Sequence, residues 1–152
     1  MILLLSSADN GTAYFDTSTF VPLVIDELGT ARCVQIWHAA RRVIATRLLI
    51  VETAAALAKA RRLHRLTDQQ YAAAQAQGDR LLTGVDFIDV DSRLIGTAAG
   101  LARRFPLRGF DAVHVAGAAL IEGTTMVSGD RQVLDACHEL GMATADSAHS
   151  FR

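Results

Sequence analysis

Lysine is almost missing from this chain. Of its 15 basic residues only Lys59 is a lysine, and 16 acids leave a formal charge of −1 over 152 residues. A broadly basic, nucleic-acid-coating surface is therefore excluded. Arginine supplies the remaining cations, and its planar fork suits phosphate. Cysteine is scarce as well. Cys33 and Cys137 stand far apart, with no CxxC or CxxH around them. A zinc cluster or a disulfide framework is thus unsupported, and buried free thiols fit a cytoplasmic setting. No apolar run can span a bilayer: Ile2-Leu3-Leu4-Leu5 lacks a basic flank before it and is broken from Ser6 to Thr12, so no membrane anchor is expected.

Several site motifs are also lacking. There is no GxGxxG after a strand, no GxxxxGK[ST] and no GxSxG elbow, which leaves phosphate-cradling loops and serine nucleophiles without support. Lys59 lies mid-helix, so no strand-end lysine of a phospho-receiver is present. Asp16-Thr17-Ser18 lacks the second Asp that an Asp-based phosphatase places two residues on. His38, His64, His114, His138 and His149 form no HxxxH pair, which argues against zinc. His114 reads as a surface or packing residue.

What is present is the composition of one ordinary globular domain, 51% hydrophobic and 20% charged, too apolar for disorder. Short apolar runs alternate with longer helical stretches. Strands are expected at Ala13–Phe15, Val43–Thr46, Val85–Val90 and Thr124–Ser128, with a short last one at Ala143–Ala145. A helix capped by Thr17 or Ser18 should run to about Leu28 and stop at Gly29, with Pro22 tolerable only near its first turn. Further helices are expected over Thr30–Ala40, from the second strand to Leu63, from the Thr67-Asp68-Gln69-Gln70 capping box to Leu82, and from Asp91 or Ser92 to Phe105. Two more should cover Phe110–Glu122 and Arg131–Leu140. Strand–helix alternation implies a largely parallel sheet with helices on both faces, an α/β fold.

Ligands in such sheets bind outside the carboxyl ends of the strands. Asp16 follows the first strand and Asp130 the fourth. Asp111 opens the Gly109-Phe110-Asp111-Ala112-Val113-His114 helix. Each alone is ordinarily a helix cap or turn residue. Glu52 has Leu48, Leu49, Ala55 and Ala56 as helical neighbours, an apolar face where a carboxylate needs a partner such as Arg47, a metal or simple exposure. Taken together, the four acids sit early in helices read as following strands, so they can converge at one edge of the sheet. Converging carboxylates repel unless a hard cation such as Mg²⁺ or Mn²⁺ neutralises them.

Tyr14-Phe15-Asp16-Thr17-Ser18, Leu49-Ile50-Val51-Glu52-Thr53-Ala54, Arg108-Gly109-Phe110-Asp111-Ala112-Val113-His114 and Ser128-Gly129-Asp130-Arg131 together resemble the PIN-domain family, and within it the VapC toxins of type II toxin–antitoxin systems. The resemblance runs from Ala13 onward. It implies a Rossmann-like three-layer fold with a central sheet of four or five strands, and an Mg²⁺-dependent endoribonuclease, with Mn²⁺ as an alternative ion. Asp16, Glu52, Asp111 and Asp130 match the family's acidic quartet as metal ligands and catalytic groups. Ser128 matches its metal–water hydroxyl, and Thr17 or Ser18 is expected to support Asp16. Implied partners are RNA, a cognate VapB-type antitoxin and a second copy of the chain. Residues 1–12 precede the expected domain at 13–152, as a disordered tail or a misplaced start. Gly129 is expected to loosen the hold on Asp130.

Arg103, Arg104, Arg108 and Arg131 are candidate backbone clamps, although a solvated helix charge is the ordinary role of each. Phe20, Val21, Leu23, Val24, Ile36 and Trp37 suggest a groove or dimer contact beside an ordinary core role. Two other functions stay open on the residues: a metal phosphoesterase of the same architecture acting on structured DNA or RNA, and an interaction module without catalysis.

Overall fold

The computed structural model describes residues 11–148. The sheet has five strands: β1 (Thr12–Phe15), β2 (Arg42–Thr46), β3 (Val85–Ile88), β4 (Thr125–Ser128) and β5 (Ala143–Asp146). All neighbours are parallel, in the order β3-β2-β1-β4-β5. Seven α-helices connect them: α1 (Thr17–Phe20), α2 (Thr30–Ala39), α3 (Leu48–Arg62), α4 (Asp68–Leu82), α5 (Ser92–Arg104), α6 (Gly109–Ala119) and α7 (Arg131–Glu139). Right-handed crossovers place the helices between β1 and β3 on one face and those between β3 and β5 on the other. The contacts agree, since α1 touches α2 and α3, α3 touches α4, and α6 touches α5 and α7. The expected α/β architecture is what the chain adopts. Thr12 belongs to β1, so the first strand begins one residue earlier than expected. The disordered-tail expectation for residues 1–10 lies outside the described residues.

Alternation along β1 organises the core. Phe15 packs edge-on against Trp37 at 5.3 Å, and Phe20 meets the same ring at 6.1 Å. Tyr14 turns to the opposite face, under α6. Phe20, Val21 and Ile36 are buried, and Leu23 and Trp37 pack on the core; these side chains act mainly as core, with Val24 half-buried beside them. α6 is apolar all round and buries Ala112 to Ala118, the mark of a helix enclosed by protein. It spans β2 and β4 and packs on α5 through Leu94, Ala98, Ala112, Val113 and Ala116.

The first helix is shorter than expected. α1 ends at Phe20 and gives way to a 3₁₀ turn, Val21–Leu23, because Pro22 offers no N–H and crowds the preceding turn. Gly29, at φ 92°, precedes α2 rather than ending α1. The last strand and the Thr67–Gln70 capping box form as the sequence indicates. Cys33 and Cys137 are free, fully buried thiols. Burial pushes their pKa values up to about 11 and about 12, so both are poor nucleophiles. Among the described residues no helix is long and apolar enough to cross a membrane.

Candidate active site

The sheet order reverses between β1 and β4, which pair directly. Crevices at such a reversal are where ligands enter open parallel sheets. Asp16 ends β1 and Ser128 is the last residue of β4.

Asp16 occupies the N-cap position of α1, yet its carboxylate makes no capping bond to that helix. It is 4% exposed. Its Oδ1 accepts the Ser18 hydroxyl at 2.6 Å and the Thr19 hydroxyl at 3.2 Å, and its Oδ2 accepts the Ser128 hydroxyl at 2.5 Å. Both serines are oriented by the β4–α7 turn. The Gly129 N–H donates to Ser18 Oγ at 3.0 Å and the Asp130 N–H to Ser128 Oγ at 3.1 Å. With their lone pairs so engaged, the hydroxyl protons must point at the carboxylate. A Cβ at Gly129 would lie 3.1 Å from Ser147 Oγ. Burial raises the Asp16 pKa, and the hydroxyls and the His114 ring oppose that rise.

Glu52, on the second turn of α3, is not paired with Arg47, which bonds Asp89 at 2.5 Å. Its Oε1 accepts the Thr17 hydroxyl at 2.7 Å and lies 2.5 Å from His114 Nε2. Thr17 thus serves Glu52, while Ser18 serves Asp16. Burial pushes the Glu52 carboxyl upward, but the bonds from His114 and Thr17 and the charges of His114 and Arg108 outweigh it and leave it below the usual range.

Asp111, third residue of α6, accepts the Arg108 Nε at 3.0 Å. The same guanidinium stands 3.9 Å from Asp130 Oδ2 and within electrostatic reach of Glu52. Asp130 also caps α7, accepting the Gln132 and Val133 N–H groups at 2.8 and 3.4 Å. Its ordinary role is therefore real, and one oxygen remains beyond it. α6 follows α5 directly, so Asp111 reaches the site from a helix that no strand precedes, contrary to the sequence expectation. Arg131 is drawn to Asp146 at 3.4 Å, and Arg104 covers the Phe105 ring at 4.7 Å. Arg108 is the arginine held among the acids.

The four acids and Ser128 thus share one edge, with Asp16 and Ser128 in direct contact and Asp111 and Asp130 bridged by Arg108. Among the described residues, no three His, Cys, Asp or Glu side chains form a closed metal-ligating group as they stand. The donor set nonetheless fits a hard divalent cation. Its atoms are carboxylate and hydroxyl oxygens, and neither Glu52 Oε2 nor Asp111 Oδ1 carries a hydrogen bond among the described residues.

Two residues escaped the sequence reading. His114 is 2% exposed, neither surface nor plain packing, and its Nδ1 lies 2.7 Å from the buried Tyr14 hydroxyl. A lone histidine amid an all-apolar helix was the available signal. Its partner lies 100 residues away in the chain, beyond any local pattern.

The PIN-domain family profile matches residues 13–139. The chain belongs to the PIN-domain family. It is 32% identical to Ribonuclease VapC45 of Mycobacterium tuberculosis over 134 residues, 87% of this chain and 93% of that protein. It is 34% identical to Ribonuclease VapC46 of the same species over 132 residues, 86% and 93% of the two chains. Among solved structures, PAE2754 from Pyrobaculum aerophilum superposes with a TM-score of 0.64 at 20% identity, over 91% of this chain and 87% of that one. VapBC2 from Rickettsia felis, bound to a promoter DNA fragment, gives 0.63 at 11% identity, over 89% and 98%. Both structures share the PIN-domain fold with this chain.

Proposed function

We propose that this PIN domain is a VapC-type endoribonuclease toxin that hydrolyses RNA with Mg²⁺ or Mn²⁺ and is held in check by a VapB-type antitoxin. The observation that carries the reading is Asp16: a buried carboxylate at a strand-switch crevice, making no capping bond to the backbone of α1 and held by hydroxyls on both oxygens. The relatives named as ribonucleases support an RNA substrate, and the likeness to the VapBC2 structure supports an antitoxin partner. Asp16, Asp111 and Asp130 would hold the cation, with Glu52 beside them. A bound cation would neutralise charge on the phosphate and lower the pKa of a water.

The remaining chemistry belongs to the chain. Ser18 and Ser128 keep Asp16 in one rotamer. Glu52 offers Oε2 as acceptor to the attacking water, whose oxygen bonds to phosphorus as the bond to the 3′-oxygen breaks. The 3′-oxygen leaves and takes a proton from solvent water to become a hydroxyl, and the phosphate stays on the 5′ side. Arg108 is 82% exposed at its side chain, and it can leave the carboxylates for a backbone phosphate.

The test is RNA cleavage by purified protein with Mg²⁺, with EDTA, and with Asp16→Ala. Cleavage that needs Mg²⁺ and is lost in the variant is expected. Activity in EDTA, or full activity of Asp16→Ala, would overturn the proposal, and competing DNA separates the substrates.

A further inference from the structure

Glu52 is fixed by more than its own helix. Thr17 reaches it from α1 and His114 from α6, both on Oε1. A carboxylate held by one donor still swivels, whereas two donors from separate elements leave it a single pose. His114 is itself immobilised. Its Nδ1 meets Tyr14 Oη at 2.7 Å, and that oxygen accepts the Thr46 backbone N–H at 3.0 Å. Thr46 Oγ1 also lies 3.3 Å from Tyr14 Oη, but Nδ1 at 2.7 Å is the closer acceptor for the single Tyr14 proton. With the imidazole proton on Nε2, the Thr46 N–H donates to Tyr14, the Tyr14 O–H to Nδ1, and Nε2–H to Glu52. The His114 and Tyr14 rings stand edge-to-face at 5.7 Å.

Packing is shaped around this relay. Gly117, one turn beyond His114, lets α6 settle onto the sheet. A Cβ there would lie 2.5 Å from Thr46 Cγ2 and 3.1 Å from Tyr14 Cε2. Burying a tyrosine hydroxyl and an imidazole costs stability where apolar residues of similar size would pack as well. The polar chain has one exit to the crevice, and that exit is Glu52.

Building on the ribonuclease reading, we propose that His114 and Tyr14 are positioning residues, which lock Glu52 Oε1 so that Oε2 alone is presented to the reaction. Neither residue touches substrate. Groups that orient a catalytic carboxylate from behind typically contribute about 10–100-fold to activity.

The experiment compares wild type, His114→Leu, His114→Gln, Glu52→Gln and the His114→Leu/Glu52→Gln double variant of the full chain in Mg²⁺-dependent RNA cleavage. His114→Leu should lower kcat about 10–100-fold with little change in KM. His114→Gln, whose side-chain amide can still donate to Glu52, should recover most of that loss. In the Glu52→Gln background the leucine substitution should cost less than about twofold, because the carboxylate that His114 positions is already gone. Equal losses in both backgrounds, or a glutamine variant as poor as leucine, would overturn the assignment. NMR gives a readout independent of activity. The His114 Nε2–H proton should be slowly exchanging and shifted downfield, and should move on Glu52→Gln. An unmoved proton sinks this inference even if RNA is cleaved. A moved proton in a protein that cleaves no RNA sinks the ribonuclease reading instead.

Discussion

The two sides of the crevice are built differently. Around Asp16 every hydrogen-bond partner is a short hydroxyl side chain; Ser18 and Ser128 are tied to backbone N–H groups of the neighbouring turn, and Thr19 is buried beside them. Around Asp111 and Asp130 the shared partner is one long, exposed guanidinium, with contacts of 3.0 and 3.9 Å, while Asp130 Oδ1 is separately tied to the first N–H groups of α7. The first side is fixed at folding; the second is held by an ion pair that solvent and salt can loosen. The proposed binding of a small cation and then a bulky polyanion would use both, one wall for aim and one that yields.

Ser128→Ala strikes the rigid side and should have the largest effect. It removes the only hydroxyl on Asp16 Oδ2 among the described residues. Stability should fall by about 1–3 kcal/mol in urea denaturation, and cleavage about 100-fold or more. Unchanged values for both would show that Asp16 is not held as described. Arg108→Ala strikes the yielding side. The melting temperature should stay where it is, while Mn²⁺, followed by titration calorimetry, should bind about two- to fivefold tighter once its rival cation is gone. Weaker Mn²⁺ binding would mean that Arg108 organises the acids rather than occupying them.

Acid titration gives the smallest effect and separates Asp16 from Glu52. Glu52 has its pKa lowered by folding, so its contribution is complete above the ordinary carboxylate range and is lost as pH falls through the depressed value. Asp16 has its pKa raised, so ionising it costs stability as pH climbs from the ordinary value to the raised one. Glu52→Gln should therefore show a shallower fall in melting temperature than wild type as pH drops from 6 to 3, about neutral to below the usual carboxylate pKa. A steeper fall would reverse the assigned direction.

Much of this architecture can be read locally. The strands stand within a residue or two of their apolar runs, since β-branched and aromatic residues bounded by turn signals leave few alternatives. The four acids were visible because Asp16 and Asp130 stand just past strand ends, Asp111 lies in the first turn of a helix, and Glu52 has apolar helical neighbours. The reading failed where distant chain segments decide. Pro22 cut α1 short because the buried turn that follows could absorb it. Asp111 rides on a helix that follows another helix, which no strand-then-helix rule anticipates. Glu52 and Arg47 are close in sequence, but Asp89, at the end of β3, captured the arginine, and His114 came from the opposite layer of the sheet.

Ser128 stands 112 residues after the Asp16 it holds, and that separation has a consequence for the order of events during synthesis. β4 is the fourth of five strands to emerge, but it pairs with the first. Until it docks, Asp16 lacks the Ser128 hydroxyl, and Ser18 lacks the Gly129 N–H that orients it. Closing so long a loop is slow compared with forming the helices in between. A nascent chain ending before Thr125 would carry three of the four acids and no assembled crevice. The pairing that joins β4 to β1 also completes the crevice, so the chemistry proposed for it has to wait until β4 has emerged and docked.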